Sequence, residues 1–221
     1  MNRMYTELIN VLRYYVKPFL PLFVLRRLNG GYSAADVEKW EQHGAPLPPP
    51  HFIKQEMIRK FQRKYGYTIL VESGTFLGDM VAAQRSYFSN IVSIELDGYL
   101  FRKAARRFEH DAHIRIVQGD SGKILPGILK GIMEPCLFWL DGHYSSGVTA
   151  KGEKECPVFE ELDAILLPGK NLNHVILIDD ARLFSGKGGY PTMDELTTFV
   201  KRRNENYSVE IENDVICFYR K

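Results

Sequence analysis

Thr68-Ile-Leu-Val-Glu-Ser-Gly-Thr-Phe-Leu-Gly78, carried on through Asp79 to Ser93-Ile-Glu95, is the stretch on which the fold turns. Thr68 to Val71 is a short β-branched run, closed by Glu72 and a turn bearing Gly74 and Gly78. Asp79 to Phe88 then carries helical spacing, and Ile91 to Ile94 is a second apolar run ending at Glu95. A strand, a glycine turn, a helix and another strand form one βαβ unit.

Outward from that unit the alternation continues. On the C-terminal side, Asp97 to Phe108 reads as a helix and Ile114 to Val117 as a strand, and Ser121 is expected to cap a short helix. Cys136 to Leu140 is an apolar run without alternation, which predicts a strand buried on both faces. Pro157 to Leu166 is a helix and His174 to Ile178 a fifth strand. Thr192-x-x-Glu195 is a capping box opening a helix to about Arg203. Tyr207 to Glu212 and Val215 to Tyr219 flank the hairpin signal Asn213-Asp214. On the N-terminal side, Phe52 to Tyr65 is an amphipathic helix. Five successive βα units require a parallel sheet with helices on both faces, since each crossover is right-handed. The expectation is an α/β, Rossmann-like, doubly wound seven-stranded sheet with an antiparallel last strand, preceded by an N-terminal helical extension. Residues 1–50 form that extension and a Pro-rich connector, and residues 51–221 the main domain.

The 221 residues balance 29 Lys+Arg against 27 Asp+Glu, too even a charge to imply nucleic acid as partner. The three cysteines, Cys136, Cys156 and Cys217, lack C-x-x-C spacing, so a disulfide framework and a four-cysteine zinc site are both disfavoured. Cys136 and Cys217 read as core, and Cys156 lacks the basic surroundings of a nucleophile. No apolar run is long enough to cross a bilayer, and a cytoplasmic location is expected. Residues 1–28 interleave Arg3, Arg13, Lys17, Arg26 and Arg27 with aromatic and aliphatic side chains, against the single acid Glu7. Two readings stand: an interfacial helix on the inner face of an anionic membrane, or a helix packed on the domain or on a second copy in a homodimer.

Ligands of doubly wound sheets bind beyond the carboxyl ends of the strands. The first strand ends in Glu72-Ser-Gly74-Thr75-Phe-Leu-Gly78, the second at Glu95 and the third at Gly119-Asp120-Ser121. A carboxylate at Glu95 can accept both hydroxyls of a ribose, and Asp120 with Ser121 suits an adenine amino group. The loop reads E-x-G-x-x-x-G, with Phe76 where a dinucleotide fingerprint would carry its middle glycine. Its leading acid repels phosphate and can hold an ammonium, which favours S-adenosylmethionine over NAD. The fourth and fifth strands end in Asp141-Gly-His143-Tyr144 and Asp179-Asp180. Neighbouring strand ends bring Asp141, Asp179 and Asp180 together, and an all-oxygen set selects Mg²⁺ or another hard divalent cation. Such an ion could lower the pKa of an acceptor hydroxyl, with His143 as general base. The plainer alternative is an Asp-Asp helix cap and a His143 that only satisfies a loop carbonyl. The polar segment Tyr144 to Cys156 and the glycine-rich loop Phe184 to Tyr190 are expected to frame an acceptor pocket, the first as a lid.

With these motifs the chain resembles class I S-adenosylmethionine-dependent methyltransferases, and among them the metal-dependent macrocin-type O-methyltransferases. The resemblance rests on Val71 to Gly78, Ser93-Ile-Glu95, Gly119-Asp120-Ser121, Asp141 and Asp179-Asp180. It implies cofactor contacts at Glu72, Gly74, Thr75, Gly78, Glu95, Asp120, Ser121 and Asp141. It implies metal ligation by Asp141, Asp179 and Asp180 and catalysis by Asp141 and His143, where His143 replaces the second acid of that pattern. The acceptor it implies is a sugar-like or natural-product hydroxyl on a small molecule or glycan. Two other readings remain: a divalent-metal phosphotransferase or hydrolase, and a nucleoside-binding module without chemistry.

Overall fold

A computed structural model describes residues 34–142, 156–166 and 172–221. The expectations for residues 1–28, His143 and residues 144–155 of the lid segment lie outside the described residues. Among the described residues no helix is long and apolar enough to cross a membrane.

Two helices come first, α1 (Ala34–Gln42) and α2 (His51–Tyr65). The alternation that follows is β1 (Ile69–Ser73), α3 (Asp79–Gln84), β2 (Asn90–Glu95), α4 (Gly98–Arg107), β3 (Ile114–Gln118), α5 (Ser121–Leu129) and β4 (Leu137–Leu140). It continues with α6 (Val158–Ile165), β5 (Val175–Ile178), α7 (Met193–Arg203), β6 (Tyr207–Glu212) and β7 (Val215–Arg220). One seven-stranded sheet results, in the order β3-β2-β1-β4-β5-β7-β6. β7 alone is antiparallel to its neighbours, as the hairpin signal required. Asn213 and Asp214 take φ of 51° and 63°, the left-handed pair of a two-residue hairpin turn.

Strands β1, β4 and β5 are buried throughout, whereas edge strand β3 is half open, and this explains their unbroken apolar runs. On one face Val71, Phe138 and Ile176 pack under Leu125 of α5, Leu162 of α6 and Leu196 of α7. On the other, Leu70, Trp139 and Leu177 pack under Ile58 and Phe61 of α2 and Val81 of α3. Each such fully buried side chain contributes about 1.5 to 3 kcal/mol relative to exposure. At its start α2 also meets α1, where Trp40 packs with Phe52 and Ile53 and donates to the Pro46 carbonyl at 3.2 Å.

Two local expectations are corrected. Helix α3 stops at Gln84 rather than Phe88, because the Tyr87 N–H turns back onto the Gln84 carbonyl and Phe88 swings into the core. The cap of α5 is Asp120, whose carboxylate accepts the Gly122 N–H at 3.1 Å; Ser121 is already helical. A side-chain oxygen at that position satisfies one of the open N–H groups of the first turn. The capping box of α7 forms as read, with Thr192 and Glu195 bonded reciprocally.

Candidate active site

Strand order reverses at β1, which has β2 on one side and β4 on the other, so the crevice opens above Ser73 and Leu140. Gly74 turns there with φ of 87°, and a Cβ on it would lie 2.2 Å from the Asp141 carbonyl oxygen. Glycine is required because β1 and β4 close on each other, a contact sealed by the Asp141 N–H donating to Ser73 O at 3.0 Å. Gly78 has a different reason: a Cβ on it would strike the Phe108 ring at 2.5 Å. Its smallness serves the packing of α4, not a ligand.

The loop's amides are committed within the fold. Gly74 and Thr75 N–H both donate to the Ile94 carbonyl, at 3.0 and 3.2 Å, and Phe76 N–H donates to Glu95 Oε2 at 2.7 Å. The other Glu95 oxygen takes the Asp97 N–H at 2.9 Å. Burial pushes the Glu95 carboxyl up to about 7, with these backbone donors pulling the other way. Its oxygens keep lone pairs for further donors at the end of β2. Glu72 is placed differently from the expectation. By strand alternation it lies on the face of Leu70, under α2 and α3, and it is 1% exposed. The Ser93 hydroxyl donates to Glu72 Oε2, Thr75 Oγ1 lies 2.5 Å from that hydroxyl, and burial pushes the carboxyl up to about 8. Glu72 and Thr75 thus brace β1 on β2.

Sequence reasoning missed a carboxyl beside this crevice. Glu161 of α6 is wholly buried, with the Ser73 and Ser121 hydroxyls close by but no hydrogen bond of good geometry to either of its oxygens. Burial raises its pKa, while the nearby Ser121 and Ser73 hydroxyls temper the rise. A Cβ on Gly142 would come 3.1 Å from Ser73 Oγ and 3.4 Å from Glu161 Oε1. An unsatisfied buried carboxyl costs free energy, so its place among the β1, β4 and α5 ends marks a spot built for a donor. The signal was present: Val158, Glu161, Leu162 and Ile165 share one helical stripe, which puts Glu161 on the buried face.

At the β4 and β5 ends, Asp141, Asp179 and Asp180 do converge, with one carboxylate oxygen of each within 4.8 Å of the others. The cation paired with them comes from the chain itself. Lys54 of α2 reaches across and donates to Asp179 Oδ2 at 2.5 Å and Asp180 Oδ1 at 3.0 Å. The second Asp179 oxygen takes the Asp180 N–H at 2.7 Å, and Asp180 itself sits at φ of 57°. Arg182 donates to Asp180 Oδ1 at 2.9 Å and also binds Asp214. Burial opposes the Lys54 charge, yet Asp179, Asp141 and Asp180 hold its pKa above the ordinary lysine range. Burial raises Asp179, while Lys54 and Arg182 outweigh burial at Asp180 and hold it below the usual carboxylate range. Tyr190, stacked edge-on against Phe184, sits in the field of the same centre; burial raises its pKa, and Cys156, Asp180 and Asp141 add to the rise.

An all-oxygen donor set suits Mg²⁺ in composition, but here an ammonium already holds two of the three carboxylates. A divalent ion roughly 4 Å from that ammonium would be repelled by about 8 kcal/mol at an effective dielectric of about 20. The arrangement as built does not fit a metal beside Lys54. Of the residues sequence reasoning missed, Arg182 lies two positions past Asp180, whereas Lys54 stands 125 residues before Asp179 and had no local signal.

No family model and no curated protein sequence matches the chain. Solved structures do match in shape. An O-methyltransferase from Bacillus cereus in complex with SAH (S-adenosylhomocysteine) superposes with a TM-score of 0.55 at 13% identity, covering 96% of this chain and 97% of that one. An SAH-bound Podospora anserina methyltransferase gives 0.54 at 14% identity, over 100% and 97%. The O-methyltransferase TomG from Streptomyces achromogenes, in complex with SAM, gives 0.52 at 14% identity, over 86% and 92%. The fold is that of the class I methyltransferases. The ends of β3, β2, β1 and β4 follow one another across the sheet, with Asp120 just past the first, Glu95 at the second and Asp141 just past the last.

Proposed function

We propose that the chain is an S-adenosylmethionine-dependent O-methyltransferase whose acceptor is a hydroxyl of a small molecule or glycan. The observation that carries this reading is the commitment of the loop amides: Gly74, Thr75 and Phe76 N–H all donate inward. A phosphate cradle needs those donors free and pointing at the ligand, so the phosphotransferase or hydrolase alternative loses its anchor. What remains at the edge is a row of acceptors, Glu95, Asp120 and the buried Glu161, which suits a nucleoside that brings hydroxyl, amino and ammonium donors and no phosphate. The O-methyltransferases of like fold, two with SAH or SAM bound, support the same choice.

When bound, the cofactor supplies a methyl group on a positively charged sulfur. The chain's own residues do the rest. Glu95 would accept the ribose hydroxyls, Asp120 and Ser121 would meet the adenine, and Glu161 with Asp141 would receive the amino-acid end. The acceptor oxygen would be lined up near Asp141, and His143, two positions on in the sequence, would take its proton. Such catalysis is chiefly positioning with one proton transfer. The divalent-ion assistance that the family resemblance implies enters no step of this reading, because Lys54 holds its ligands.

Isothermal titration of the full chain with S-adenosylhomocysteine, alongside ATP, tests the proposal. Saturable binding of the first, abolished in Glu95→Ala and absent for ATP, is the expected result. ATP binding in its place would restore the phosphate reading. A nucleoside-binding module would bind the compound too, but would show no methyl transfer from labelled S-adenosylmethionine to any acceptor in a panel of sugars and phenols.

A further inference from the structure

We propose that the Lys54 ammonium is the resident cation of the aspartate centre, and that it takes the place a divalent ion would hold. This deepens the methyltransferase reading and rests on it for the identity of the reaction.

Three observations converge. Lys54 is no wandering surface lysine: its side chain is 12% exposed, and Ile53, Met57 and Ile58 beside it on α2 are buried in the core. The helix is pinned again at its start by Trp40 packing on Phe52. The acceptors it uses are two of the would-be metal ligands. Both Asp179 oxygens are occupied, one by Lys54 and one by the Asp180 N–H, and Asp180 Oδ1 serves Lys54 and Arg182 together. Arg182 is in turn held by Asp214, whose side chain also accepts the Arg182 N–H at 2.9 Å. The acids are thereby locked in place before any ligand arrives.

The consequence is a specificity rule. A metal centre rewards acceptors that chelate, with two adjacent oxygens on one ion. A lysine centre presents fixed carboxylates and no ion to chelate, which suits an acceptor presenting a single hydroxyl. Lys54 acts through Asp179 and Asp180 and is a positioning residue.

The test uses the full-length chain and Mn²⁺ as the probe, read by electron paramagnetic resonance, with S-adenosylhomocysteine binding followed separately by calorimetry. Wild type should leave the free Mn²⁺ signal untouched. Lys54→Met should open the centre and bind Mn²⁺ at least about tenfold more tightly than wild type, and Mn²⁺ should raise its melting temperature. Lys54→Arg, which keeps the charge, should behave as wild type. Saturable Mn²⁺ binding by wild type that Asp179→Asn removes would overturn the proposal, and that arm decides even if Lys54→Met fails to fold. A folded Lys54→Met that gains no Mn²⁺ affinity would overturn it as well. Loss of S-adenosylhomocysteine binding throughout would sink the methyltransferase reading instead, and the Mn²⁺ arms would still report on the centre.

Discussion

The two halves of the crevice are held together by different physics. At the ends of β1, β2 and β3 the geometry is made of backbone hydrogen bonds and buried carboxyls that lean toward their neutral forms, Glu72 near 8 and Glu95 near 7. At the ends of β4 and β5 it is made of ions, with Lys54 and Arg182 set against Asp179, Asp180 and Asp214. An ionic centre is stiff, because removing any one partner strands a buried charge. The edge at β1, β2 and β3, the nucleoside half of the proposal, is thus held by groups that can change partners, and the aspartate centre, its acceptor half, by ions that hold one another in place.

That contrast can be broken most forcefully at Asp179. Asp179→Ala strands much of the Lys54 charge in a buried place, and a loss of about 3 to 5 kcal/mol is expected. Urea unfolding followed by circular dichroism measures it. A loss under about 1 kcal/mol would mean that the centre is solvated and soft, and the contrast would fail. Next in size is Gly74→Ala, at the seam between the halves. It places a Cβ against the Asp141 carbonyl at a left-handed φ, so about 2 to 3 kcal/mol of stability should go, together with S-adenosylhomocysteine binding. Gly44, also at positive φ but with open space around it, is the control: alanine there should cost strain alone and leave ligand binding intact.

How far these halves could be read from sequence follows from the same division. Each part of the nucleoside half lies within one βα unit, so Gly74, Glu95 and Asp120 were legible as strand-end signals, and the sheet order followed from the alternation. What that reading could not supply was direction. Strand alternation puts Glu72 on the face of α2 and α3, and only the packed structure gives it Ser93 as a partner. The acceptor half was legible as three converging aspartates, and the structure sets Lys54 against two of them. The cation itself comes from α2, far back in the chain, and no local pattern distinguishes Lys54 from the solvated lysines of that helix, such as Lys60. Long-range ion pairing leaves no period in a sequence.

The pH dependence of the nucleoside half sharpens the comparison at moderate size. Burial, first among the causes, raises the folded pKa of Glu95 to about 7, above the unfolded value of about 4.3. The folded chain thus holds a proton that the unfolded chain releases. The stabilisation from this group is complete below about pH 4 and is lost as pH rises through about 7. Ribose hydroxyls want the ionised carboxylate, so S-adenosylhomocysteine affinity should move the opposite way, rising about tenfold between about pH 6 and pH 8. Paired unfolding and titration experiments at several pH values should show the two slopes opposed, and Glu95→Gln should flatten both. Parallel slopes would refute the assignment of Glu95 to the ribose.

The smallest effect expected is the most discriminating for the seam itself. Glu161 is wholly buried with no well-formed hydrogen bond to either oxygen, and burial raises its pKa, so an uncharged amide of nearly the same shape should be tolerated there. Glu161→Gln should therefore change unfolding stability by no more than about 1 kcal/mol. A cofactor bearing an ammonium draws out the carboxylate, which glutamine cannot become, so S-adenosylhomocysteine affinity should fall about fivefold, with enthalpy lost in the titration. If glutamine left the affinity untouched and cost several kcal/mol of stability, Glu161 would belong to the packing of α6 against α5. The row of acceptors along the nucleoside edge would then end at Asp120, and the amino-acid end of the cofactor would have to be held by Asp141 alone.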